Sequence, residues 1–374
     1  MNIALITIHH ANSYGGTLQA FASQNVLSHY GEVRIIDYKS KALESTLHLI
    51  RLDASPRSLL RAGKDVLRLR ARRRLIARFK QFMQRHYQLT ASCADAQALQ
   101  ALSLEFDCLV CGSDQIWNPS ITGSLDLNYL LAFSRARRNI SFSSSAGSYC
   151  YSAPERAQVA QALGRLDRIA VREADTAQAL RELLGSRVVE HTLDPTLLLD
   201  KQQWLHSLDL PQSALTGQAP YILVYTLKKD PLVRVTVEQV RRRLGLEVVA
   251  IDQDPFLGYR CDRHIMDASP ADYVSLFANA AFVITNSFHG TAFAVNFGIP
   301  FVTALPENGL NRIKGFLDQL DLGSRLVSDP AQLDALLDQG MDFSRGHLRL
   351  EQLRTRTWRY LDEALLDYPA ASAD

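Results

Sequence analysis

The chain has 374 residues, of which 47% are hydrophobic and 21% are charged, and its net charge is +2. This is the composition of a globular protein long enough for two domains, and it excludes a protein that binds polyanions over its whole surface. The N-terminus has no signal-peptide pattern, and no apolar run approaches the length of a membrane span. The spacing of the five cysteines shows no disulfide pattern, which favours reduced thiols and a cytoplasmic location. These residues are Cys93, Cys108, Cys111, Cys150 and Cys261.

The first predicted elements are an apolar strand over residues 2–8 and a helix over Leu18–Leu27. A loop with two consecutive glycines, His9–Thr17, connects them. This order begins a Rossmann-like half, although the loop matches neither G-x-G-x-x-G nor a P-loop. Two interpretations stay open: a turn capped by Asn or Ser, and a ligand-binding loop formed by Asn12, Ser13, Tyr14, Gly15 and Gly16.

Residues 57–86 are rich in arginine and lysine, and Asp65 is the only acidic residue among them. Apolar residues recur at helical spacing, which predicts a basic amphipathic helix or helix pair. Most such helices pack one face on their own domain. The sharper hypothesis is electrostatic docking to an anionic membrane surface or a polyanionic substrate.

A strand predicted over Phe106–Cys111 leads into Gly112–Pro119, with the sequence G-S-D-Q-I-W-N-P. Its polar side chains and its indole ring suit a sugar, since polar groups bind hydroxyls and an aromatic face covers C–H groups. A loop closed by Asx and Ser turns around a buried tryptophan is the alternative. Cys108 and Cys111 are predicted to be buried small hydrophobic residues rather than a redox or zinc pair.

A short strand predicted over Ile169–Glu173 ends in the charged pair Arg172 and Glu173. The Arg172 guanidinium could hold a phosphate or carboxylate or pair with Glu173. A second domain begins with the strand Tyr221–Leu227. Later, Ala281–Ala304 predicts a strand, a turn, a helix and a second strand. This puts Ser287 and His289 at a helix N-terminus beyond the carboxyl end of a strand, where α/β proteins bind ligands.

The sequence therefore predicts an α/β fold with two Rossmann-like domains facing a cleft, the glycosyltransferase-B type of architecture. The N-terminal domain is predicted over residues 1–200 and the C-terminal domain over 201–345. Residues 346–374 form a C-terminal helix and tail that could cross back to the first domain.

Four strings occur in a specific order: Gly112–Pro119, A-V-R-E at 170–173, L-D-P-T-L-L-L at 193–199 and T-N-S-F-H-G at 285–290. Together with the loop from Asn12 to Leu18, they make the chain resemble the polysaccharide pyruvyltransferase family over roughly residues 2–325. The resemblance implies a cytoplasmic transferase that moves pyruvate from phosphoenolpyruvate to two hydroxyls of a sugar. The product is a cyclic ketal, and phosphate is released.

The resemblance also implies residue roles. His289 matches the histidine thought to be catalytic, Arg172 is expected to hold an anionic group of phosphoenolpyruvate, and Asp114 orients or deprotonates an acceptor hydroxyl. Where several members carry Arg-Leu-His, this chain has Ser287-Phe288-His289, so the missing charge is expected from Arg312 or Lys314. The remaining donor-side residues are Asn286, Ser287 and Gly290. The acceptor-side residues are Asn12, Ser13, Tyr14, Gly15, Gly16, Ser113, Gln115, Trp117 and Asn118.

The expected partners are phosphoenolpyruvate, as a co-substrate, and a sugar or lipid-linked oligosaccharide of exopolysaccharide biosynthesis. No metal, no further cofactor and no nucleic acid are expected. Peripheral contact with the inner face of the plasma membrane is expected through residues 57–86. Two alternatives stay open: a nucleotide-sugar-dependent glycosyltransferase of the same fold, with Asp252 at the ribose, and a non-catalytic carbohydrate-binding subunit of a polysaccharide assembly complex.

Overall fold

The computed structural model describes residues 1–50, 62–63, 65–211, 219–306, 311–340 and 342–366. Three predicted features fall wholly or partly outside these residues: Arg57, Arg61 and Lys64 of the basic segment, residues 307–310, and the tail 370–374. The chain divides into two compact units. Unit 1 comprises Met1–Thr46, His86–Leu198 and Glu351–Asp374, and unit 2 comprises Leu47–Arg85 and Leu199–Leu350.

The two units are less continuous in sequence than the predicted domains. The change of unit between Leu198 and Leu199 lies beside the predicted boundary at residue 200. However, the basic segment, predicted within the N-terminal domain, is grouped with unit 2. The physical reason is that its arginines bond to residues of unit 2, as described below. The last helix begins in unit 2 and continues in unit 1.

Unit 1 contains a five-stranded parallel sheet in the order β3-β2-β1-β4-β5 and a parallel pair, β6-β7. The strands are β1 (Asn2–Ile6), β2 (Glu32–Tyr38), β3 (Leu89–Cys93), β4 (Cys108–Cys111), β5 (Arg138–Ser141), β6 (Ile169–Val171) and β7 (Val189–His191). The main helices up to residue 184 are α1 (Tyr14–Leu27), α2 (Lys41–Glu44), α3 (Leu69–His86), α4 (Ala96–Ser103), α5 (Pro119–Thr122), α6 (Ala153–Leu163) and α7 (Ala174–Leu184). Of these, α3 belongs to unit 2 except for its last residue, His86. This strand order is that of a Rossmann-like sheet.

Unit 2 contains a six-stranded parallel sheet in the order β10-β9-β8-β11-β12-β13. Its strands are β8 (Tyr221–Tyr225), β9 (Glu247–Ile251), β10 (Arg263–Ile265), β11 (Phe282–Thr285), β12 (Phe301–Ala304) and β13 (Leu326–Val327). The remaining helices are α8 (Lys201–Ser207), α9 (Pro231–Leu244), α10 (Pro270–Asn279), α11 (Phe288–Asn296), α12 (Asn311–Gln319), α13 (Leu333–Asp338) and α14 (Ser344–Leu365).

The central strands of both sheets are mostly apolar because helices cover both faces of a parallel sheet. All residues of β4, β8 and β11 are buried. The polar residues that follow these strands therefore collect at the carboxyl edge of each sheet, where open α/β folds bind ligands. No helix among the described residues is long and apolar enough to span a membrane.

Candidate active site

The predicted strand, turn and helix around His289 are confirmed. β11 ends at Thr285, and α11 begins at Phe288 with Ser287 as its N-cap. The Ser287 hydroxyl accepts a hydrogen bond from the N–H of Gly290 at 3.4 Å, and Thr285 Oγ1 accepts one from the N–H of Ser287 at 3.0 Å. Partly exposed His289 thus lies in the first turn of a helix, where N–H groups and the helix dipole favour an anion.

Ser287 and Gly290, predicted on the donor side, each have a structural role in this turn. Ser287 is buried and caps the helix. A Cβ atom at Gly290 would lie 2.2 Å from Thr285 Oγ1 and 3.2 Å from Tyr225 Cδ1. A glycine is therefore needed for α11 to pack this closely on β8 and β11, whether or not a ligand binds here.

Asn286 holds the loop that follows the neighbouring strand. Its Oδ1 accepts a hydrogen bond from the N–H of Leu227 at 2.7 Å, and its Nδ2 donates one to the carbonyl of Lys228 at 2.8 Å. Both ends of the carboxamide are thus bonded to backbone within unit 2. Asn286 fixes the loop after β8 at the start of α11.

The two cations predicted to replace the missing arginine, Arg312 and Lys314, are among the first four residues of α12. Lys314 is exposed and pairs with Asp318 one turn later on the same helix. Arg312 is partly exposed in the first turn. Lys314 therefore already has a carboxylate partner on its own helix.

The predicted loop His9–Thr17 is shorter in the structure, because α1 begins at Tyr14. The Ser13 hydroxyl accepts a hydrogen bond from the N–H of Gly16 at 3.2 Å and caps the helix. Tyr14, Gly15 and Gly16 are buried in the first turn of α1 rather than lying in a loop. Their part in acceptor binding stays a prediction. Of the predicted residues here, Ser13 is exposed and Asn12 is partly exposed.

Trp117 is a core residue rather than a sugar platform. Its side chain is 1% exposed, and its Nε1 donates a hydrogen bond to the carbonyl of Tyr129 at 2.9 Å. The stacking face predicted for this ring is therefore not available in the structure. The amide of Asn118 caps α5 and donates to Gln115 Oε1 at 2.8 Å, so these two side chains close the loop on itself.

Arg172 is buried among three carboxylates. Its Nη1 donates to Asp194 at 2.7 Å and lies 3.5 Å from Asp114, while its Nε donates to Glu173 at 3.1 Å. Burial alone would lower the pKa of Arg172, but Glu173, Asp194 and Asp114 together raise it above its ordinary value. A phosphate would meet three negative charges here. The expectation that this guanidinium forms an open anion site therefore does not fit the geometry.

Arg172 instead orders an acidic edge of unit 1. Ser113 is buried and donates a hydrogen bond to the carbonyl of Ser143 at 3.0 Å. Asp114 is partly exposed and has a left-handed backbone with φ of +65°. Glu173, which the sequence suggested only as an ion-pair partner, is partly exposed too and accepts a hydrogen bond from the Ser145 hydroxyl at 2.7 Å. Ionised carboxylates accept hydrogen bonds from sugar hydroxyls, whereas they repel anions.

A second polar cluster at the same edge was missed from the sequence. His9 Nε2 lies 3.3 Å from Asp37 Oδ1, and Lys39 Nζ lies 3.3 Å from Asp37 Oδ2. Hydrogen bonds from His9 and Lys39 lower the pKa of Asp37. The neighbouring His10 is partly exposed, and burial followed by the charges of His9 and Lys39 lowers its pKa. The available signal was a charged residue, Asp37, near the end of an apolar strand.

The basic segment is only partly a solvated surface. Arg72 is buried and donates to the carbonyls of His48 and Leu49. Arg74 pairs with Asp267 at 2.6 Å, and Arg78 pairs with Asp272 at 3.0 Å. Asp65 is the only acidic residue within this segment, but carboxylates distant in sequence also pair with its arginines.

Cys108 and Cys111 are buried, as predicted, and burial raises the pKa of each thiol to about 12. This keeps them protonated and unreactive at neutral pH. Within the described part of the chain, no group of three or more His, Cys, Asp or Glu side chains could hold a metal ion.

Solved structures similar to this one share its fold at low identity. UDP-GlcNAc 2-epimerase from Neisseria meningitidis, bound to UDP-GlcNAc, is 9% identical with a TM-score of 0.56, covering 98% of this chain and 100% of that chain. UDP-GlcNAc 2-epimerase from Methanocaldococcus jannaschii is 11% identical with a TM-score of 0.54, covering 96% and 100%. The prediction of two Rossmann-like domains of the glycosyltransferase-B type is thereby confirmed.

No curated protein gave a significant match. The family model described as polysaccharide pyruvyl transferase matches residues 14–307. The matched range includes helix α1, the Gly112–Pro119 loop, Arg172 and the turn that carries His289. The chain belongs to the polysaccharide pyruvyl transferase family.

Proposed function

We propose that this protein transfers pyruvate from phosphoenolpyruvate to two hydroxyls of one sugar in a cell-surface polysaccharide or its lipid-linked precursor. The observation that carries the proposal is the place of His289, partly exposed in the first turn of α11 and within the matched family range. A histidine can give and take a proton near neutral pH, and the helix N-terminus favours a phosphate or carboxylate.

In the proposed reaction, His289 in its protonated form donates a proton to the methylene carbon of phosphoenolpyruvate. The oxygen of a first hydroxyl bonds to the adjacent carbon and loses its proton. The bond from that carbon to the phosphate oxygen then breaks, and phosphate leaves with the proton released by the first hydroxyl. The oxygen of a second hydroxyl bonds to the same carbon and loses its proton, which restores the protonated form of His289. The products are the cyclic ketal and phosphate, so no redox cofactor is required. General acid–base catalysis of this kind contributes typically 10²–10⁴-fold.

The acceptor sugar is proposed to bind at Asp114 and Glu173. Asp114 orients or deprotonates a sugar hydroxyl, and Glu173 lies beside it through their common partner Arg172. We assign Arg172 to positioning these two carboxylates, because its guanidinium is neutralised by them and by Asp194. Arg312 remains the proposed cation of α12 for the donor substrate, with Lys314 second to it because of its pair with Asp318.

The protein is proposed to work in the cytoplasm at the inner face of the plasma membrane, where lipid-linked acceptors lie. The support is the basic helix α3. Three of its exposed cations, Arg70, Arg73 and Lys80, form no ion pair with the residues that the structure describes. Anionic lipid would attract these side chains.

The test is ketal formation by His289→Gln. Mass spectrometry with lipid-linked oligosaccharide acceptors should detect addition of one pyruvate by the wild type, with equimolar phosphate. We expect His289→Gln to lower the rate about 10²–10⁴-fold without changing the melting temperature, because the group is partly exposed. A variant with full activity contradicts the assignment of His289.

A matched substrate panel separates the alternatives. Calorimetry should show binding of phosphoenolpyruvate and none of UDP-GlcNAc, the ligand bound in one of the similar structures. Binding of a nucleotide sugar alone would favour a glycosyltransferase. Binding of oligosaccharide with no transfer from any donor would favour a non-catalytic subunit.

A further inference from the structure

Two of the unit 2 cations near the carboxyl edge already have carboxylate partners. Lys229 pairs with Asp254 at 3.2 Å and also donates to the carbonyl of Phe256. Lys314 pairs with Asp318 along α12. These ammonium groups are partly neutralised, so a dianionic phosphate gains less from either one.

Lys228 differs from both. It is exposed, and within the described residues its ammonium has no ion pair. Its backbone, in contrast, is fixed: its carbonyl accepts a hydrogen bond from Asn286 Nδ2 at 2.8 Å, and the preceding N–H, of Leu227, donates to Asn286 Oδ1. The loop is thus held by both ends of one carboxamide.

The two hydrogen bonds of Asn286 place the backbone of Lys228 next to the turn that carries His289. β8 and β11 are neighbours, with Tyr225 opposite Thr285 in the parallel register. Lys228 follows the end of the first strand, and Asn286 directly follows the end of the second. Asn286 is also the residue before the N-cap of α11. The backbone of Lys228 is therefore hydrogen-bonded to the segment that carries His289, and a flexible side chain extends from this point.

We propose that Lys228 binds the phosphate of the donor substrate and that Asn286 is the residue that positions it. This inference rests on the proposed function and adds Lys228 to Arg312 as a second cation for the donor substrate near His289. Phosphate would then be held between the ammonium of Lys228 and the first-turn N–H groups of α11. A lysine is suited to this task because it binds phosphate as a point charge that can follow the leaving group.

The test compares Lys228→Gln with Lys229→Gln, two substitutions that remove the same charge one residue apart. We expect Lys228→Gln to raise the KM for phosphoenolpyruvate and the inhibition constant of inorganic phosphate by about 10–100-fold, the value of a charged hydrogen bond. Lys229→Gln should change both by about twofold or less, and Lys228→Arg should restore binding. The acceptor KM should stay constant in all three.

Asn286→Ala tests the positioning role. If Asn286 acts through Lys228, the double variant Asn286→Ala/Lys228→Gln should bind phosphoenolpyruvate no more weakly than Lys228→Gln alone, whereas independent contributions would multiply. Equal phosphoenolpyruvate binding by wild type and Lys228→Gln overturns the inference while leaving the proposed function intact. A wild type that binds nucleotide sugar and not phosphoenolpyruvate refutes the proposed function, and the inference with it.

Discussion

At the scale of single residues, many polar side chains of the motifs form hydrogen bonds with nearby backbone groups. Ser13, Asn118 and Ser287 each cap a helix, and Asn286 clamps a loop. Such residues satisfy N–H groups that a helix start leaves open, which is why they follow strand ends in α/β proteins. Residue type alone could not separate these caps from residues that bind a ligand.

We predict that Trp117 contributes to the stability of the protein and not to acceptor binding. Replacing it by Phe removes the Nε1 hydrogen bond to Tyr129 and leaves that carbonyl buried without its partner. We expect a loss of about 1–3 kcal/mol in the free energy of unfolding, with an unchanged acceptor KM. Urea denaturation and steady-state kinetics measure the two quantities. If acceptor KM rises while stability stays constant, the ring contacts sugar and its buried position is not the functional one.

At the scale of elements, periodicity predicted the strand–helix order well. The βαβ unit from Phe282 to Ala304 and the strand before Gly112 were found where apolar runs predicted them. Element ends were less accurate: α1 starts at Tyr14 because Ser13 caps it, although two glycines at the start favour a loop. The partners of the buried arginines could not be predicted, since Arg74 and Asp267 are far apart in sequence.

We predict that a larger residue at position 290 destabilises the protein, because Gly290 sets how closely α11 approaches the sheet. A methyl group at 290 would overlap Thr285 Oγ1, so we expect Gly290→Ala to destabilise the protein by about 1–3 kcal/mol. Gly315, in α12, is the matched control, because a methyl group there would meet no atom of the described residues within 4 Å. Gly315→Ala should be neutral or stabilising by up to about 1 kcal/mol. Similar effects in thermal melts of both variants would contradict this account of α11 packing.

At the scale of the whole molecule, each unit has its own parallel sheet and its own core. The fold class and the family could be predicted because strand-end motifs are local in sequence. The division into units could not be predicted at the basic segment, which has no strand of its own among the residues described and is placed by ion pairs such as Arg78 with Asp272.

Membrane association is predicted for the molecule as a whole, and α3 offers a matched test. Arg70→Gln/Arg73→Gln removes exposed cations, whereas Arg74→Gln/Arg78→Gln removes the same charge from side chains paired with carboxylates. At about 1 kcal/mol per cation, the first double variant should bind anionic vesicles roughly 30-fold more weakly in sedimentation assays. The second should lose clearly less. Equal losses, or a wild type that does not sediment with vesicles, would refute docking through α3.

The interrupted course of the chain bears on protein engineering. The chain changes unit at 46/47, 85/86, 198/199 and 350/351, so neither unit is one continuous stretch. A chimaera joined near residue 200 would combine residues 47–85 of one parent with the rest of unit 2 from the other. Arg74 and Arg78 would then need carboxylates at 267 and 272 from a foreign sequence. Exchanging unit 2 between members of this family would therefore require transplanting residues 47–85 and 199–350 together.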